Sequence, residues 1–136
     1  KDTGTPEDII HANKLVLDSI GTENQFLIDD NAEIKDNIVV GAGTVIDNNS
    51  VIIGPVIIGK NCTIGNGVQL GPYVSVGDNC NLKYCTIQDS IIMTDCIIDV
   101  KVDFKSSIIS HGSEITVSDS LKKHQFLLGE RSQIKL

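Results

Sequence analysis

The sequence predicts a mainly β fold, in which one N-terminal α-helix precedes a parallel β-solenoid of about five coils. Three observations support this prediction. Aliphatic residues recur every six positions between residues 28 and 82, and a helical pattern with a clear start signal lies near the N-terminus. Aromatic residues make up only 4% of the 136 residues, so aliphatic side chains have to build the core.

The helix is predicted to begin after Thr5. Thr5 can act as the N-cap, Pro6 suits the first helical position, and Asp8 brings a carboxylate close to the open backbone donors. Apolar residues then recur at three- and four-residue spacing, namely Ile9, Ala12, Leu15, Val16, Leu17 and Ile20. Because Gly21 is placed to end the helix, we expect it at about residues 6–20. One amphipathic helix cannot bury its stripe alone, so it needs a partner surface.

The internal repeat is the most informative feature of the chain. Its first column is aliphatic throughout: Ile28, Ile34, Val40, Ile46, Ile52, Ile58, Ile64, Leu70, Val76 and Leu82. Four residues after each of these lies a side chain that is nearly always small or β-branched: Ala32, Ile38, Thr44, Ser50, Val56, Cys62, Val68, Val74, Cys80 and Thr86. A period of six is neither helical nor that of a hairpin, and it indicates short strands separated by turns.

A third column predicts the turns. It contains Asn31, Asn37, Gly43, Asn49, Pro55, Asn61, Gly67, Tyr73, Asn79 and Cys85. Asn and Gly dominate because they tolerate the left-handed backbone that a tight corner needs. Pro55 cannot adopt a positive φ, so we expect the corner at Gly54 and Pro55 to be made differently.

Three hexads would close one triangular coil. Cys62 and Cys80, which are three hexads apart, would then lie on neighbouring coils at the strand spacing of about 4.8 Å. Beyond Leu82 the register slips, and we expect coils with one-residue deletions at corners, with Ile87, Met93, Ile98 and Phe104 facing inward. The solenoid is predicted to end near Leu121.

Composition excludes several classes of function. A net charge of −7 argues against binding nucleic acid or an anionic membrane through bulk electrostatics. The longest apolar stretch, residues 51–58, is too short to span a bilayer, and no signal peptide precedes it. We therefore expect a soluble, cytoplasmic protein. The cysteines Cys62, Cys80, Cys85 and Cys96 form no CxxC pair, and we interpret them as buried reduced thiols rather than zinc ligands.

The uninterrupted hexads over residues 28–87 resemble the hexapeptide-repeat family, and this resemblance implies a left-handed parallel β-helix. The opening segment DTGTPEDIIHANKLVL resembles the last segment of sugar-1-phosphate nucleotidylyltransferase domains. The stretch SIIMTDCII and the closing KKHQFLLGERSQIKL resemble the long form of glucose-1-phosphate thymidylyltransferases, in which a β-helix follows the catalytic domain. The resemblance implies a catalytic-domain tail at residues 1–25, a β-helix at 26–121 and a closing segment at 122–136.

Members of that family join glucose 1-phosphate to dTTP and release pyrophosphate and dTDP-glucose. The resemblance implies an in-line attack on the nucleotide α-phosphorus, assisted by Mg²⁺. Asp2 matches the family aspartate that helps to hold this ion, and a carboxylate suits it. The Gly-rich nucleotide-binding loop of the family has no counterpart here. We therefore expect nucleoside triphosphate and sugar 1-phosphate to bind a catalytic domain outside this chain, and the chain alone to be inactive and without a cofactor.

Two functions of different class remain open for the solenoid. The first is a structural, assembly or regulatory domain. The second is a hexapeptide acetyltransferase that uses acetyl-CoA and an amino-sugar phosphate, with His111 as the general base. That class usually has a loop interrupting the coils, and the hexads here are uninterrupted. For His11 and His124, as for His111, we favour a surface or structural role.

Two further expectations concern the surface of the solenoid. A regulatory site for a sugar nucleotide is a third possibility, with Lys60, Lys83 and Lys101 as candidate phosphate contacts, although we favour a solvated surface for them. Outward-facing Val39, Ile53 and Ile57 would leave apolar area exposed, so we expect a homo-oligomer.

Overall fold

The computed structural model describes residues 4–20, 23–28, 33–35, 37–47, 49–117 and 133–135. The chain begins with helix α1 (Pro6–Leu17) and continues almost entirely in short parallel strands. In chain order these are β1 (Glu23–Ile28), β2 (Glu33–Lys35), β3 (Ile38–Ile46), β4 (Val51–Ile53), β5 (Val56–Ile58), β6 (Thr63–Ile64), β7 (Gln69–Leu70), β8 (Val74–Val76), β9 (Asn81–Lys83), β10 (Thr86–Gln88), β11 (Ser90–Ile92), β12 (Ile97–Asp99), β13 (Asp103–Lys105), β14 (Ile108–Ile109), β15 (Glu114–Thr116) and β16 (Gln133–Lys135).

The strands stack into three parallel faces. The first face has the order β2, β4, β7, β10 and β13. The long strand β3 turns a corner, so that its first half starts the second face (β5, β8, β11, β14) and its second half starts the third (β6, β9, β12, β15, β16). Strand β1 pairs with β3 along both halves. This is a parallel β-solenoid of about five coils, as the hexads predicted, whereas its left hand stays a prediction.

The first aliphatic column forms the core. Its side chains from Ile46 to Leu82 are between 0% and 3% exposed, and those from Ile46 to Ile64 each pair with the equivalent residue of the next coil. Full burial of one such aliphatic side chain stabilises the folded state by about 1.5–3 kcal/mol. The continuous column therefore replaces the large aromatic residues that the sequence lacks.

The second column combines burial with hydrogen bonding. Thr44 Oγ1 donates to the Gly59 carbonyl over 2.7 Å, and Ser50 Oγ donates to the Gly65 carbonyl over 2.8 Å. Both acceptors lie on the following coil, directly after strands β5 and β6, where the chain turns. A buried carbonyl without a donor costs about 1–3 kcal/mol. Small hydroxyl and thiol side chains are therefore favoured in this column.

The corners have the left-handed backbone that the third column predicted. Positive φ angles occur at Gly43, Asn49, Asn61, Gly67, Tyr73 and Asn79. The corner at Gly54 and Pro55 differs, as expected, and contains a cis peptide bond. In place of Cys85, its neighbour Tyr84 has the positive φ, while Cys85 is 0% exposed.

Coil length shortens after Leu82. Thr63 lies beside Asn81, three full hexads further along the chain, but Asn81 lies beside Ile97, which is two positions short of that spacing. Two corners in succession have each lost one residue. The prediction that Met93 faces inward is therefore wrong. Ile92 is 1% exposed and Met93 is 45% exposed, because the second deletion moves the inward position back by one.

Helix α1 starts as predicted and ends earlier. The Asp8 N–H donates to Thr5 Oγ1 over 3.1 Å, and Pro6 is the first helical residue. The helix ends at Leu17 rather than Ile20, with Asp18 as its C-cap. The N–H groups of Ser19 and Ile20 bond three residues back instead of four, which tightens the last turn.

The solenoid itself provides the partner surface of α1. Ile10 and Leu17 are 8% and 0% exposed, and the helix packs on the outer side of the second face, beside β8 and β11. The predicted stripe was therefore right for Leu17 but wrong for three of its members: Ile9 is 39%, Leu15 is 59% and Val16 is 57% exposed. Polar contacts along the helix turn it so that Ile10 and Leu17 face the solenoid.

Several predictions fall on other parts of the chain. Asp2, Gly21, Leu121 and His124 lie outside the described residues. Of the predicted closing segment, the structure describes strand β16 alone, which pairs with β15. The predicted boundaries at residues 25 and 121 thus remain predictions.

Candidate functional site

His111 lies at the corner between the second and third faces. Its Nδ1 atom is 2.6 Å from Thr94 Oγ1 and 3.7 Å from Asp95 Oδ2. The His111 side chain is 25% exposed and that of Asp95 is 47% exposed. The imidazole nitrogen closest to these groups therefore contacts the adjacent coil, which is an arrangement suited to holding the corner.

The three lysines do not converge on one site. Lys60 lies at the corner between the second and third faces, as His111 does. Its backbone N–H donates to the carboxylate of Asp78 on the next coil over 2.8 Å. Lys83 ends β9 and Lys101 follows β12, so both lie at the next corner, after the third face. Lys60 is thus separated from the other two by the width of a face.

Three cysteines form a buried column beside the His111 corner. The thiols of Cys62, Cys80 and Cys96 donate to backbone carbonyls of the next coil, each over 3.1 Å. Each thiol thus makes the same kind of contact that the Thr44 hydroxyl makes on the coil before Cys62. All four cysteines are free and buried, as predicted. The neighbouring thiols of Cys62 and Cys96, together with burial, raise the pKa of Cys80, and burial raises the pKa of Cys85 to about 12.

A polar clamp joins α1 to the solenoid. The Tyr73 hydroxyl donates to Asp18 Oδ1 over 2.7 Å, and the Ser75 hydroxyl and Asn13 Oδ1 are 2.6 Å apart. Lys14 Nζ lies 3.4 Å from Asp89 Oδ1 and 5.6 Å from the centroid of the Tyr73 ring. The Asp18 carboxylate raises the pKa of Tyr73. This clamp fixes which side of the helix faces the solenoid.

Two of the grooves on the surface border α1. One, of about 250 Å³, lies between the end of the helix and the Gly54 corner. Another, of about 220 Å³, lies between the first helical turns and Ser106. A third groove, of about 440 Å³, is separate from the helix and lies at the corner of Tyr84 and Lys101. His111 does not line any of these three grooves.

Neither a metal centre nor a membrane span is found in the part of the chain that the structure describes. Groups of three or more His, Cys, Asp or Glu side chains that could hold a metal ion are absent there. None of its helices has the length and apolar character needed to cross a membrane.

A family model describes this solenoid. The model of the GMPPB C-terminal domain matches residues 52–135, which is more than half of the chain. The chain belongs to the GMPPB C-terminal domain family. This family indicates a C-terminal domain of sugar-phosphate nucleotidylyltransferases. A comparison with curated protein sequences gives no significant match.

The family match bears on the predictions for the solenoid and does not extend to helix α1. It confirms the nucleotidylyltransferase context, and it covers the coils that contain His111, the cysteines and all three candidate lysines. Helix α1 precedes the matched region.

Sequence reasoning missed the two tyrosines. Tyr73 appeared in the corner column without a role, and Tyr84 was not considered. For Tyr73 the signal was present in the repeat, because an aromatic residue stands where Asn or Gly is favoured, whereas Tyr84 precedes the predicted corner position by one residue. Tyr73 and Tyr84 have φ angles of 63° and 65°.

Proposed function

We propose that this chain is the C-terminal solenoid of an enzyme that forms dTDP-glucose and pyrophosphate from dTTP and glucose 1-phosphate. The match to the GMPPB C-terminal domain family carries the proposal as far as sugar-phosphate nucleotidylyltransferase. The choice of dTTP and glucose rests on the resemblance of the opening and closing segments. In this proposal the solenoid positions the catalytic domain and contributes no reacting group.

The second apolar stripe of α1 supports a domain in front of the solenoid. Ile9 and Val16 are 39% and 57% exposed and lie on a side of the helix away from buried Ile10 and Leu17. A helix with two apolar stripes is suited to packing between two bodies. We infer that residues 1–25 form the tail of the catalytic domain, and that this stripe packs against it.

Mg²⁺ is the proposed cofactor of the complete enzyme. The described residues do not form a site for it by themselves, since they bring no three ligating side chains together. Asp2 is the residue of this chain that we propose as a ligand, because its carboxylate is the hard oxygen donor that the ion prefers. The remaining ligands would come from the catalytic domain and the substrates.

Pyrophosphate release tests the proposed reaction. The protein that carries the catalytic domain is assayed with glucose 1-phosphate, Mg²⁺ and each of dTTP, UTP, CTP, GTP and ATP, with the present chain as the control. We expect the fastest release with dTTP and none from the control. Faster release with another triphosphate would reject the thymidylyl assignment, and no release with any of them would reject the nucleotidylyltransferase reaction.

Self-association in the cytoplasm completes the proposal. Val45 and Ile97 point outward from the third face and are 40% and 38% exposed. Val39, Ile53 and Ile57, which we expected to be exposed, are half-buried. We therefore place the proposed contact between subunits on the third face, and sedimentation velocity of a Val45→Asp and Ile97→Asp double variant tests it.

A further inference from the structure

Both tyrosines of the chain occupy corners with a left-handed backbone. Tyr73 and Tyr84 have φ angles of 63° and 65°, whereas the other side chains at positive φ are Asn, Asp or Ser. A left-handed backbone costs an ordinary L-residue about 1–2 kcal/mol, and Asn and Asp tolerate it better. A bulky residue kept in this conformation indicates a function for its side chain.

Contacts within the chain account for Tyr73. Its hydroxyl donates to Asp18 and its ring faces the Lys14 ammonium, so this side chain holds α1 on the solenoid. The Tyr73 ring thus contacts a positively charged group, and its hydroxyl donates to an acceptor oxygen. Tyr73 shows what an aromatic residue at such a corner can do.

Tyr84 has no such contact among the described residues. It is 50% exposed, and it lies against Gly67 of the preceding coil, where an added Cβ would be 3.4 Å from the ring atom Cδ1. The Tyr84 ring therefore lies within van der Waals reach of the Gly67 corner. The preceding coil thus packs against one side of the Tyr84 ring, and part of the ring surface remains accessible to solvent.

The groove beside Tyr84 combines three kinds of chemistry. It has a volume of about 440 Å³ and is lined by Gly67, Tyr84, Asp99, Val100, Lys101 and Val117. The ring offers a flat surface to a sugar or a base, the Lys101 ammonium can bind a phosphate, and the Asp99 carboxylate can accept hydrogen bonds from hydroxyl groups. The volume lies within the range of about 300–1,000 Å³ that is typical of small-molecule sites.

We propose that this cavity, the Tyr84 groove, binds a phosphorylated sugar, either free or as part of a nucleotide sugar. The groove itself follows from the geometry, while the choice of ligand rests on the proposed function, in which such compounds are substrate and product. It lies on the solenoid, where the ligand of one reaction could act on the enzyme without entering the catalytic domain. In this proposal Lys101 contacts the phosphate, whereas the sequence alone favoured a solvated surface for it.

Tyrosine ring NMR signals test the proposal. With ¹³C-labelled tyrosine the present chain gives ring signals from two residues, which the variants Tyr73→Phe and Tyr84→Phe assign. The labelled chain is titrated with dTDP-glucose, dTDP and glucose 1-phosphate in separate experiments. We expect saturable shifts of the Tyr84 signals and none of the Tyr73 signals. The three arms show whether the sugar phosphate, the nucleotide or both are needed.

Unchanged Tyr84 signals would overturn the proposal. The titration continues to about 10 mM, ten times a weak Kd of about 1 mM. Equal shifts of both tyrosines would also overturn it, because they would report a non-specific effect. The chain has no counterpart of the nucleotide-binding loop of the catalytic domain, so this result and pyrophosphate release by the complete enzyme fail independently.

Substitution by Asn separates binding from folding. In Tyr84→Asn we expect the thermal midpoint to stay the same or rise, because Asn tolerates the corner, while ligand affinity falls at least about tenfold. Affinity is measured through the ³¹P signal of the ligand. Lys101→Gln is expected to weaken binding about fivefold or more with no change in the thermal midpoint.

Tyr73→Asn is the matched control. It changes the same kind of corner but removes the clamp on α1, so we expect faster amide hydrogen exchange in α1 with unchanged ligand affinity. A Tyr84→Asn variant that unfolds at lower temperature and binds ligand as well as the parent would show that Tyr84 has a purely structural role.

Discussion

The coils before Leu82 and those after it bury the same kind of core with different lengths of chain. In the earlier part Val51 lies beside Gln69, three full hexads further along, whereas in the later part Thr86 lies beside Asp103, one position short of three hexads. Ile64 and Ile98 are nevertheless both 0% exposed. The aliphatic column and the ladder of hydrogen bonds fix the positions of the strands, and the corners accommodate the missing residues.

The corners show how this is done. In the earlier coils the left-handed residue comes three positions after the buried aliphatic residue, as in Asn61 and Asn79. At each shortened corner it comes two positions after, at Tyr84, Asp89 and Ser106. One residue can therefore be lost at a corner while the next strand starts in register. The hexad repeat therefore determines the positions of the strands, and the number of residues per coil can vary at the corners.

The largest expected effect tests the register of the shortened coils. Ile92→Ala should lower the free energy of unfolding by about 4 kcal/mol, since it leaves a cavity in the column. The neighbouring Met93→Ala is the control and should change it by no more than about 0.5 kcal/mol, because its side chain lies on the surface. Urea unfolding measures both. A larger effect at Met93 would restore the regular hexad and reject the shortened corner.

The next effect concerns Cys85, the buried residue that follows the first shortened corner. Burial raises its pKa from 9.0 to about 12, so the unfolded chain ionises first as the pH rises. The stabilising contribution is complete below pH 9 and should decrease by about 1.4 kcal/mol per pH unit above it.

Unfolding at pH 8, 10 and 11 measures this slope. Cys85→Val, which has no ionisable group, should be less sensitive by that amount. Equal slopes for the parent and the variant would place the Cys85 thiol in contact with water.

A smaller effect is expected at a regular corner. Asn61→Ala should destabilise the chain by about 1 kcal/mol, because Ala tolerates a left-handed backbone poorly. Asn66→Ala is the matched control: Asn66 is also exposed but has no positive φ, so its replacement should stay within about 0.5 kcal/mol. Thermal or urea unfolding compares the two. Similar losses in both variants would mean that Asn is favoured there for reasons other than φ.

The smallest effect compares the two tyrosine corners. Tyr73→Phe removes the hydrogen bond to Asp18, so we expect faster amide hydrogen exchange in α1 and nearly unchanged global unfolding. Tyr84→Phe should leave the exchange in α1 unchanged. Faster exchange in both variants, or in neither, would show that the Tyr73 hydroxyl does not hold the helix.

The sequence predicted the coils well because the repeat is enforced at every turn. Burial of one aliphatic residue in six and a left-handed corner leave few alternatives, so strand order and core follow from the columns. Met93 was misplaced because two deletions in succession move the inward position, and a chain with apolar residues at both 92 and 93 gives no local sign of it. Only the stacking of Ile92 on Val76 decides between them.

The candidate site could be predicted less well. The buried side of α1 depends on contacts such as Tyr73 with Asp18, which are 55 residues apart, and helical spacing alone cannot show them. The Tyr84 groove joins residues of several coils, so no motif in the sequence marks it. Asp2 and the nucleotide depend on a domain that these residues do not form.

The central claim is that the solenoid provides a fold and a binding surface but no catalytic group. His111 tests it most directly. Its replacement by Ala in the complete enzyme is assayed for pyrophosphate release and, with an amino-sugar phosphate and acetyl-CoA, for CoA release. We predict pyrophosphate release equal to that of the parent, and no CoA release from either protein. CoA release by the parent that His111→Ala abolishes would contradict the account and identify an acetyltransferase.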